Sequence, residues 1–224
     1  MLTLKLLQPE ILNNMLNEVA AKYNTANLDT EIEAVRMNFE GITTFDGDDL
    51  CKLSAEYPLF DFETEGKYTL IIKSMPNHEN NQGNLTSLLG ELFFWNKTKN
   101  DNKGKLYDSG GSVKFGDGSV KMPDITYILR ERLESQPKDK VILIIPDFVV
   151  EYVSTFDSLK EAKQKMDFYM QSGILLGWLI VPKEQQTYIY KQNDVVSTKN
   201  FNETLTGEDI LLDFSVVLAD IFEN

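Results

Sequence analysis

Residues 146–153 of this 224-residue chain read PDFVVEYV, and this stretch decides the fold. Five of its eight residues are β-branched or aromatic, the composition of a strand that is buried on both faces. Glu151 interrupts the apolar run. Because an acid inside a buried strand is costly unless a cation or hydrogen-bond donors receive it, the same stretch also predicts a functional site.

Apolar periodicity predicts the elements that precede this strand. Helices are predicted at residues 8–22, 47–54 and 77–98, the last with one apolar side made of Leu85, Leu88, Leu89, Leu92 and Trp95. A hairpin is predicted from strands at 59–63 and 67–72 with its turn at 64–66, where Gly66 lies. Residues 106–115 and 120–129 read as two further strands around a turn at 116–118.

The pattern around and after the strand completes a mixed sheet. Strands are predicted at residues 141–145, 148–153, 177–181 and 187–191, and helices at 158–172 and 214–222. The helix at 158–172 is expected to stop at Gly173. Helices alternating with strands in this order predict an α/β fold, one mixed β-sheet flanked by helices on both faces, preceded by an N-terminal helical arm.

The composition excludes several kinds of chemistry. The chain has one histidine, His78, and one cysteine, Cys51, so it cannot supply the ligands of a Cys/His zinc site. A hydrolase of the Ser/His/Asp type would depend on His78, and no partner nucleophile is identified. The single cysteine, the absence of a secretory signal pattern and the absence of long apolar runs predict a cytoplasmic protein with no membrane partner.

The net charge of −13 is distributed unevenly. Residues 93–170 hold 13 of the 22 basic residues and 12 acidic ones, whereas the regions on both sides are acidic. Because phosphate binding is dominated by Lys and Arg, only this middle region can face a nucleic acid. Solvated lysines on loops and helices are the alternative interpretation of the same charges.

Asp124 and Glu151 form a candidate metal site. They are 27 residues apart, a spacing that suits neighbouring strands. Mg²⁺ typically takes one or two carboxylates and completes its shell with water and phosphate oxygens, which points to phosphodiester hydrolysis. The alternative is structural: Asp124 would cap a turn after Pro123, and Glu151 would form an ion pair in the core.

A lysine on the following helix would assist such a reaction. On a helical wheel Lys163 and Lys165 flank the apolar stripe on opposite sides, so either lysine can lean toward the strand of Glu151. The spacing does not choose between them.

The sequence resembles a known family at these positions. The matching segments, read from the sequence, are PDI at 123–125, PDFVVEYVS at 146–154, KMDFY at 165–169, SGI at 172–174 and WLIV at 178–181. They are similar to the Uma-two family of restriction endonucleases, long labelled a domain of unknown function. FETEG at 62–66 and LTG at 205–207 resemble an early and a closing segment of that family.

The resemblance implies a restriction-endonuclease-like domain of the PD-(D/E)xK superfamily over residues 45–224, with residues 1–44 as a helical arm. It implies that Asp124 and Glu151 bind the metal and that Lys165 is the catalytic lysine, four residues before Tyr169. The superfamily usually carries that lysine two residues after the second acid, where this chain has Val153. Glu63 is an additional candidate acid.

Two functions are therefore predicted, from different classes. The first is a DNA endonuclease that uses Mg²⁺, with Mn²⁺ as a substitute, and acts as a homodimer because cutting two strands wants two sites. The second is a catalytically inactive nuclease-like fold that serves as a protein interaction module. The acidic flanks and the absence of lysine at position 153 favour this alternative.

Overall fold

The computed structural model describes residues 9–25, 32–74, 79–98, 104–133, 141–193 and 195–222. In this part of the chain the α-helices are α1 Pro9–Thr25, α2 Gly47–Glu56, α3 Glu79–Thr98, α4 Arg130–Leu133, α5 Leu159–Gln171 and α6 Leu218–Ile221. A short 3₁₀ helix covers Pro182–Glu184. No described helix combines the length and hydrophobicity that crossing a bilayer requires.

A six-stranded mixed sheet forms the centre of the fold. Its strands are β4 Lys105–Asp108, β7 Ile125–Ile128, β8 Phe148–Tyr152, β9 Leu176–Val181, β10 Gln186–Lys191 and β11 Val195–Asn200. The spatial order is β11-β10-β9-β8-β7-β4, and only the central pair β8 and β9 is parallel. The predicted α/β class and mixed sheet are confirmed, and the stretch at 146–153 supplies the central strand β8.

A second, antiparallel sheet of three strands packs beside it. Its strands are β1 Val35–Asn38, β2 Phe60–Glu65 and β3 Thr69–Ser74, in the order β1-β3-β2. Two short ladders complete the described strands, and they pair β5 Val113–Lys114 with β6 Val120–Lys121, and β12 Thr204–Gly207 with β13 Leu211–Val217.

Alternation along β8 separates two apolar cores. Val150 joins a cluster with Leu88 and Leu92 of α3, whereas Val149 joins a second cluster with Met166 and Tyr169 of α5. All six side chains are fully buried. Because successive side chains of a strand point to opposite faces, α3 and α5 cover opposite faces of the central sheet.

The three-stranded sheet has one apolar and one charged face. Phe60 and Phe62 of β2 pack into a third cluster with α1 and α2. Asp61 and Glu63 alternate with them and point the other way, toward α5. This sheet therefore brings acidic side chains against the helix that follows β8.

Helix α5 is placed by features at both ends. Ser158 has extended backbone at the N-cap, and Gly173 has a φ of +99° after the last turn. In the middle, Met166 packs against the backbone of Gly177 in β9, where a Cβ atom would lie 2.4 Å from the Met166 methyl carbon. The missing side chain at 177 lets the helix lie close to the sheet.

The predicted strands at 106–115 and 120–129 are each broken into two short strands, β4 and β5 and then β6 and β7. Three further predictions of secondary structure were wrong. Residues 141–145 are not a strand: Ile142 makes one bridge to Val113, and β5 is too short to pair further. The turn between β2 and β3 begins at Gly66, because residues 64 and 65 still pair with β3.

The third error lies at the C-terminal end, where residues 214–222 are not one helix. Leu211–Val217 is the strand β13, since the polar segment at 204–207 provides a partner strand, and only Leu218–Ile221 is helical. The strands β1 and β11 were not predicted. The boundary at residue 45 between an arm and the main domain stays a prediction.

Candidate active site

Asp124 immediately precedes β7, and Glu151 lies near the end of the neighbouring strand β8. The antiparallel register pairs Ile125 of β7 with Val150 of β8, so Asp124 and Glu151 each lie one residue beyond that pair. Residues directly opposite in such a ladder have Cβ atoms about 4.5–5.5 Å apart and point to the same side. The Asp124 Oδ2 atom accepts a hydrogen bond of 2.7 Å from the backbone N–H of Tyr152.

Glu151 receives two donors from α5. The Lys165 Nζ atom lies 2.9 Å from Glu151 Oε1 and donates to Oε2 at 3.0 Å. The Tyr169 hydroxyl donates to Oε1 at 2.8 Å. Lys165 and Tyr169 are one helical turn apart on α5, so both reach the same carboxylate of β8.

Glu63 reaches the same lysine from the three-stranded sheet. Its Oε1 atom lies 2.7 Å from Lys165 Nζ and accepts a hydrogen bond of 3.0 Å from the backbone N–H of Met122. Its Oε2 atom lies 3.6 Å from the Nζ atom of Lys121. The Lys165 ammonium therefore bridges Glu63 and Glu151, two acids from different sheets.

The structure resolves the choice between the two lysines of α5. The Lys163 ammonium lies over the ring of Tyr188, 4.1 Å from its centroid, and has no contact with Glu151. Lys165 is the lysine that faces the acids. The predicted residues Asp124, Glu151, Lys165 and Glu63 are thus brought together.

Two further residues belong to this constellation. Asp61 lies two positions before Glu63 on the same side of β2, and its charge acts on Glu63 and Asp124. Acids at every second position, 61, 63 and 65, were the sequence signal that could have identified it. Tyr169 is fully buried, and its hydroxyl also orients Glu151.

Burial and neighbouring carboxylates disfavour the charged forms of the acids on the side of Asp124. Burial, followed by repulsion from Glu151, raises the pKa of Asp124 to about 8. Burial and repulsion from Glu63 raise the pKa of Asp61 to about 6. Burial also raises the pKa of Glu151, although Lys165 opposes this effect. We call Asp61, Asp124 and Glu151 the acidic end of the site.

Glu63 behaves in the opposite way. Burial alone would raise its pKa, but Lys165, Lys121 and Lys73 outweigh that effect and lower the pKa to about 2. Burial also lowers the pKa of the Lys165 ammonium, yet Glu151 and Glu63 outweigh it and raise that pKa above its ordinary value. Lys165 is therefore a permanent cation held between Glu63 and Glu151.

The acidic end fits a divalent cation in its donor chemistry. Its side chains offer oxygen ligands only, as Mg²⁺ prefers, and because burial and then neighbouring carboxylates disfavour their charged forms, a bound cation would stabilise them. Among the described residues, no three His, Cys, Asp or Glu side chains form a ready-made metal cluster. A site of two carboxylates completed by water and substrate oxygens remains compatible with this geometry.

Comparisons with known proteins identify the family of the chain and a similar fold. Residues 56–219 match the model of the Uma2 family, described as "Putative restriction endonuclease". The chain belongs to the Uma2 family. A crystal structure of a protein from Anabaena variabilis, described as a putative nuclease of DUF820, has a similar fold, with a TM-score of 0.62 and 20% sequence identity over 72% of this chain and 89% of that one. A search of curated proteins finds no match.

Position 153, where the resemblance to the wider superfamily implied a lysine, holds an apolar residue in this Uma2 chain. Val153 follows β8 and is buried in the cluster beneath α5. The ammonium group reaches Glu151 from Lys165 on the helix instead. His78 lies outside the described residues, so no role is assigned to it.

A polar cavity of about 180 Å³ adjoins the Glu63 side of this Uma2 site. Its walls come from the charged face of the three-stranded sheet, the turn before β6 and the outer side of α5. The side chains that line it include Arg36, Glu63, Lys73, Lys121, Glu161 and Lys165. Asp124 and Glu151 are not part of its lining, so Lys165 separates this cavity from the acidic end.

Proposed function

We propose that the chain is a divalent-metal-dependent DNA endonuclease in which Asp124 and Glu151 bind Mg²⁺ and Lys165 assists hydrolysis. The supporting observation is that Lys165 bridges Glu63 and Glu151 from two sheets, with Asp124 and Asp61 close enough for their charges to act on the same group. Membership of the Uma2 family, described as restriction endonucleases, supports the same reaction class.

A bound Mg²⁺ would lower the pKa of a water molecule and offset the charge of the scissile phosphate. The remaining functions fall to the chain's own residues. Lys165 stays protonated, so it acts as a fixed positive charge toward a phosphate oxygen and not as a base. Tyr169 holds Glu151 in place by a hydrogen bond, and Glu63 holds Lys165 from the opposite side.

The Lys165 contacts also provide support for a second function, a nuclease-like fold that acts as an interaction module. The ammonium pairs with Glu63 and Glu151 at 2.7 and 2.9 Å, as a purely structural ion pair would. The raised pKa values of Asp124 and Asp61 favour the enzyme, because a structural ion pair has no need for two additional repelling acids nearby.

A metal titration separates the two functions. Wild-type protein is titrated with Mn²⁺ in a calorimeter and incubated with supercoiled, linear and single-stranded DNA in Mg²⁺ or Mn²⁺. We expect metal binding and cleavage, and loss of both in Asp124→Ala with the folded state retained. Asp167→Asn is the matched control, because Asp167 is an exposed acid on α5 two residues from Lys165.

The outcomes are distinct. Cleavage by the wild-type and the control, with none by Asp124→Ala, supports the endonuclease. Absence of both Mn²⁺ binding and cleavage of every DNA form contradicts it and supports the module. We further propose a cytoplasmic homodimer as the active form, since two symmetric sites suit cleavage of two strands. Light scattering of the purified protein tests the dimer, and a monomeric mass in the presence of DNA contradicts it.

A further inference from the structure

The cavity beside Glu63 contains a buried ammonium group without a hydrogen bond. The Lys121 side chain is only 9% exposed, and its nearest carboxylate oxygen, Glu63 Oε2, is 3.6 Å away. That distance is too long for a hydrogen bond. Its other contact in the described part of the chain is the Phe168 ring, 5.7 Å away. Because an ammonium with little exposure is costly without acceptors, the Lys121 ammonium favours an acceptor inside the cavity, either water or a ligand.

The acids around this cavity are already engaged with other groups. Glu161 accepts hydrogen bonds from the Arg36 guanidinium and from the backbone N–H of Ala34. Asp117 accepts from the hydroxyl and backbone N–H of Ser119 at 2.7 and 2.9 Å.

Glu63 in turn is held by Lys165 and the backbone N–H of Met122. Within the described residues Lys73 has no ion pair within 4 Å, and it lines the same cavity as Lys121. Lys121 and Lys73 lower the pKa of Glu63, but among the described residues neither ammonium donates a hydrogen bond to it, so both keep donors for a ligand.

The size and position of the cavity restrict that ligand. Its volume of about 180 Å³ is below the roughly 300–1,000 Å³ of pockets that enclose whole drug-sized molecules. It therefore suits a single anionic group, not a nucleobase with its sugar. Glu63 and Lys165 form a wall that this cavity shares with the candidate active site. An anionic group bound in the cavity would therefore lie beside the phosphate oxygen that Lys165 is proposed to contact.

We propose that this cavity binds a phosphate group of the nucleic-acid backbone, adjacent to the scissile phosphate, through the ammonium groups of Lys121 and Lys73. The inference rests on the proposed endonuclease function and adds a second phosphate contact to it. Phosphate contacts position a strand without reading its sequence. The cavity thus sets the path of the strand past Lys165.

The test measures DNA affinity separately from metal binding and cleavage. Anisotropy of a labelled DNA duplex is followed with wild-type, Lys121→Met and Lys73→Gln proteins between about 50 and about 200 mM KCl. Lys114→Gln is the matched control, because Lys114 is an exposed lysine on the neighbouring strand β5. Each cavity variant is expected to bind more weakly for all DNA sequences and to lower the slope of log affinity against log salt by about 0.9. Mn²⁺ affinity is expected to remain unchanged.

Several outcomes would overturn the proposal. If wild-type protein binds and cuts DNA while both variants keep its affinity and salt slope, the cavity is not a strand contact, although the endonuclease function stands. If no form of DNA binds to the wild-type, the endonuclease function fails as well.

Two further binding experiments use inorganic phosphate and an acidic peptide as probes. In one outcome, inorganic phosphate stabilises the wild-type against heat but not Lys121→Met, while the two proteins bind DNA equally well. That result identifies a site for free anions and overturns the strand contact. Binding of a poly-glutamate peptide that depends on Lys121, without DNA binding, indicates a protein partner and overturns it too. Lys73→Gln keeps the test decisive if Lys121→Met fails to fold, because Lys73 is only half-buried.

Discussion

Glu63 and Asp124 are two buried carboxylates of one site with opposite electrostatics. Burial raises the pKa of both, yet the pKa of Glu63 falls to about 2 and that of Asp124 rises to about 8. The difference comes from their neighbours: three lysines surround Glu63, whereas Asp124 faces Glu151 and Asp61. Depth of burial therefore does not decide the charge state of an acid here; the distribution of ammonium groups does.

Removal of Lys165 takes away the main cation beside Glu63, so it should have the largest effect on stability and on DNA cleavage. In Lys165→Met, Glu63 and Glu151 remain buried without the cation that joins them. We expect a loss of about 3–5 kcal/mol in the free energy of unfolding, together with loss of DNA cleavage. Urea denaturation and a plasmid cleavage assay measure the two effects.

Lys163→Met is the control for this change, since it removes a lysine of the same helix that lies over Tyr188. It should retain cleavage and lose less than about 1 kcal/mol. Equal destabilisation by the two variants would mean that Lys165 does not join the sheets.

Asp124→Asn tests the acidic end through pH. The folded protein binds a proton at Asp124 more tightly than the unfolded chain, whose pKa is near 3.8, so stability falls as the pH rises from about 4 to about 8. The variant removes this loss. In EDTA at pH 8 we expect an increase of a few kcal/mol, since each pKa unit corresponds to about 1.36 kcal/mol.

Thermal unfolding at several pH values measures this effect, with about 2–4 °C expected per kcal/mol for a chain of this size. Mn²⁺ binding by the same variant should be lost. A pH profile identical to that of the wild-type would show that Asp124 is not buried against the other acids.

Tyr169→Phe weakens the contact between α5 and the acidic end. The change removes the 2.8 Å hydrogen bond to Glu151 and keeps the ring. We expect a loss of about 1–2 kcal/mol in unfolding free energy and an increase in the pKa of Glu151. The second effect appears as a shift of the acidic limb of the cleavage profile toward higher pH.

Tyr190→Phe is the control, because Tyr190 is buried in the same cluster and its hydroxyl has no hydrogen bond among the described residues. An unshifted pH profile in Tyr169→Phe would mean that the hydroxyl does not influence Glu151.

Asp61→Asn should have the smallest effect. Asp61 has a pKa of about 6, so the folded state loses stability between about pH 4 and pH 6 as this acid ionises. The variant should gain about 1 kcal/mol at pH 8, because partial exposure screens the repulsion. If cleavage also falls by more than tenfold, Asp61 contributes to metal binding.

The central strand and its acid were the most predictable part of the molecule. The apolar run at 148–152 could only be a buried strand, and Glu151 inside it required a partner. The long helix α3 followed in the same way from its leucine spacing. These features depend on local pattern alone.

Features that depend on distant partners were not predictable. Residues 141–145 resemble a strand but have only β5 to pair with, whereas the polar segment at 204–207 becomes a strand because β13 lies beside it. Spacing alone could not choose Lys165 over Lys163, since Glu63 of the three-stranded sheet is what distinguishes the two sides of α5; only the family resemblance implied Lys165. Asp61 was missed although acids at every second position, 61, 63 and 65, indicated it.

The Lys165 bridge forms only when three elements of the fold are in place together. Glu63 is held by a strand whose other face packs on α1 and α2, Glu151 lies in the central strand, and the lysine comes from α5. The three-stranded sheet has its own apolar cluster, whereas β8 and α5 share another, so these two parts are expected to open at different free energies. DNA cleavage then requires both parts to be folded at once. On warming, cleavage should be lost at the melting temperature of the less stable part, before the whole chain unfolds.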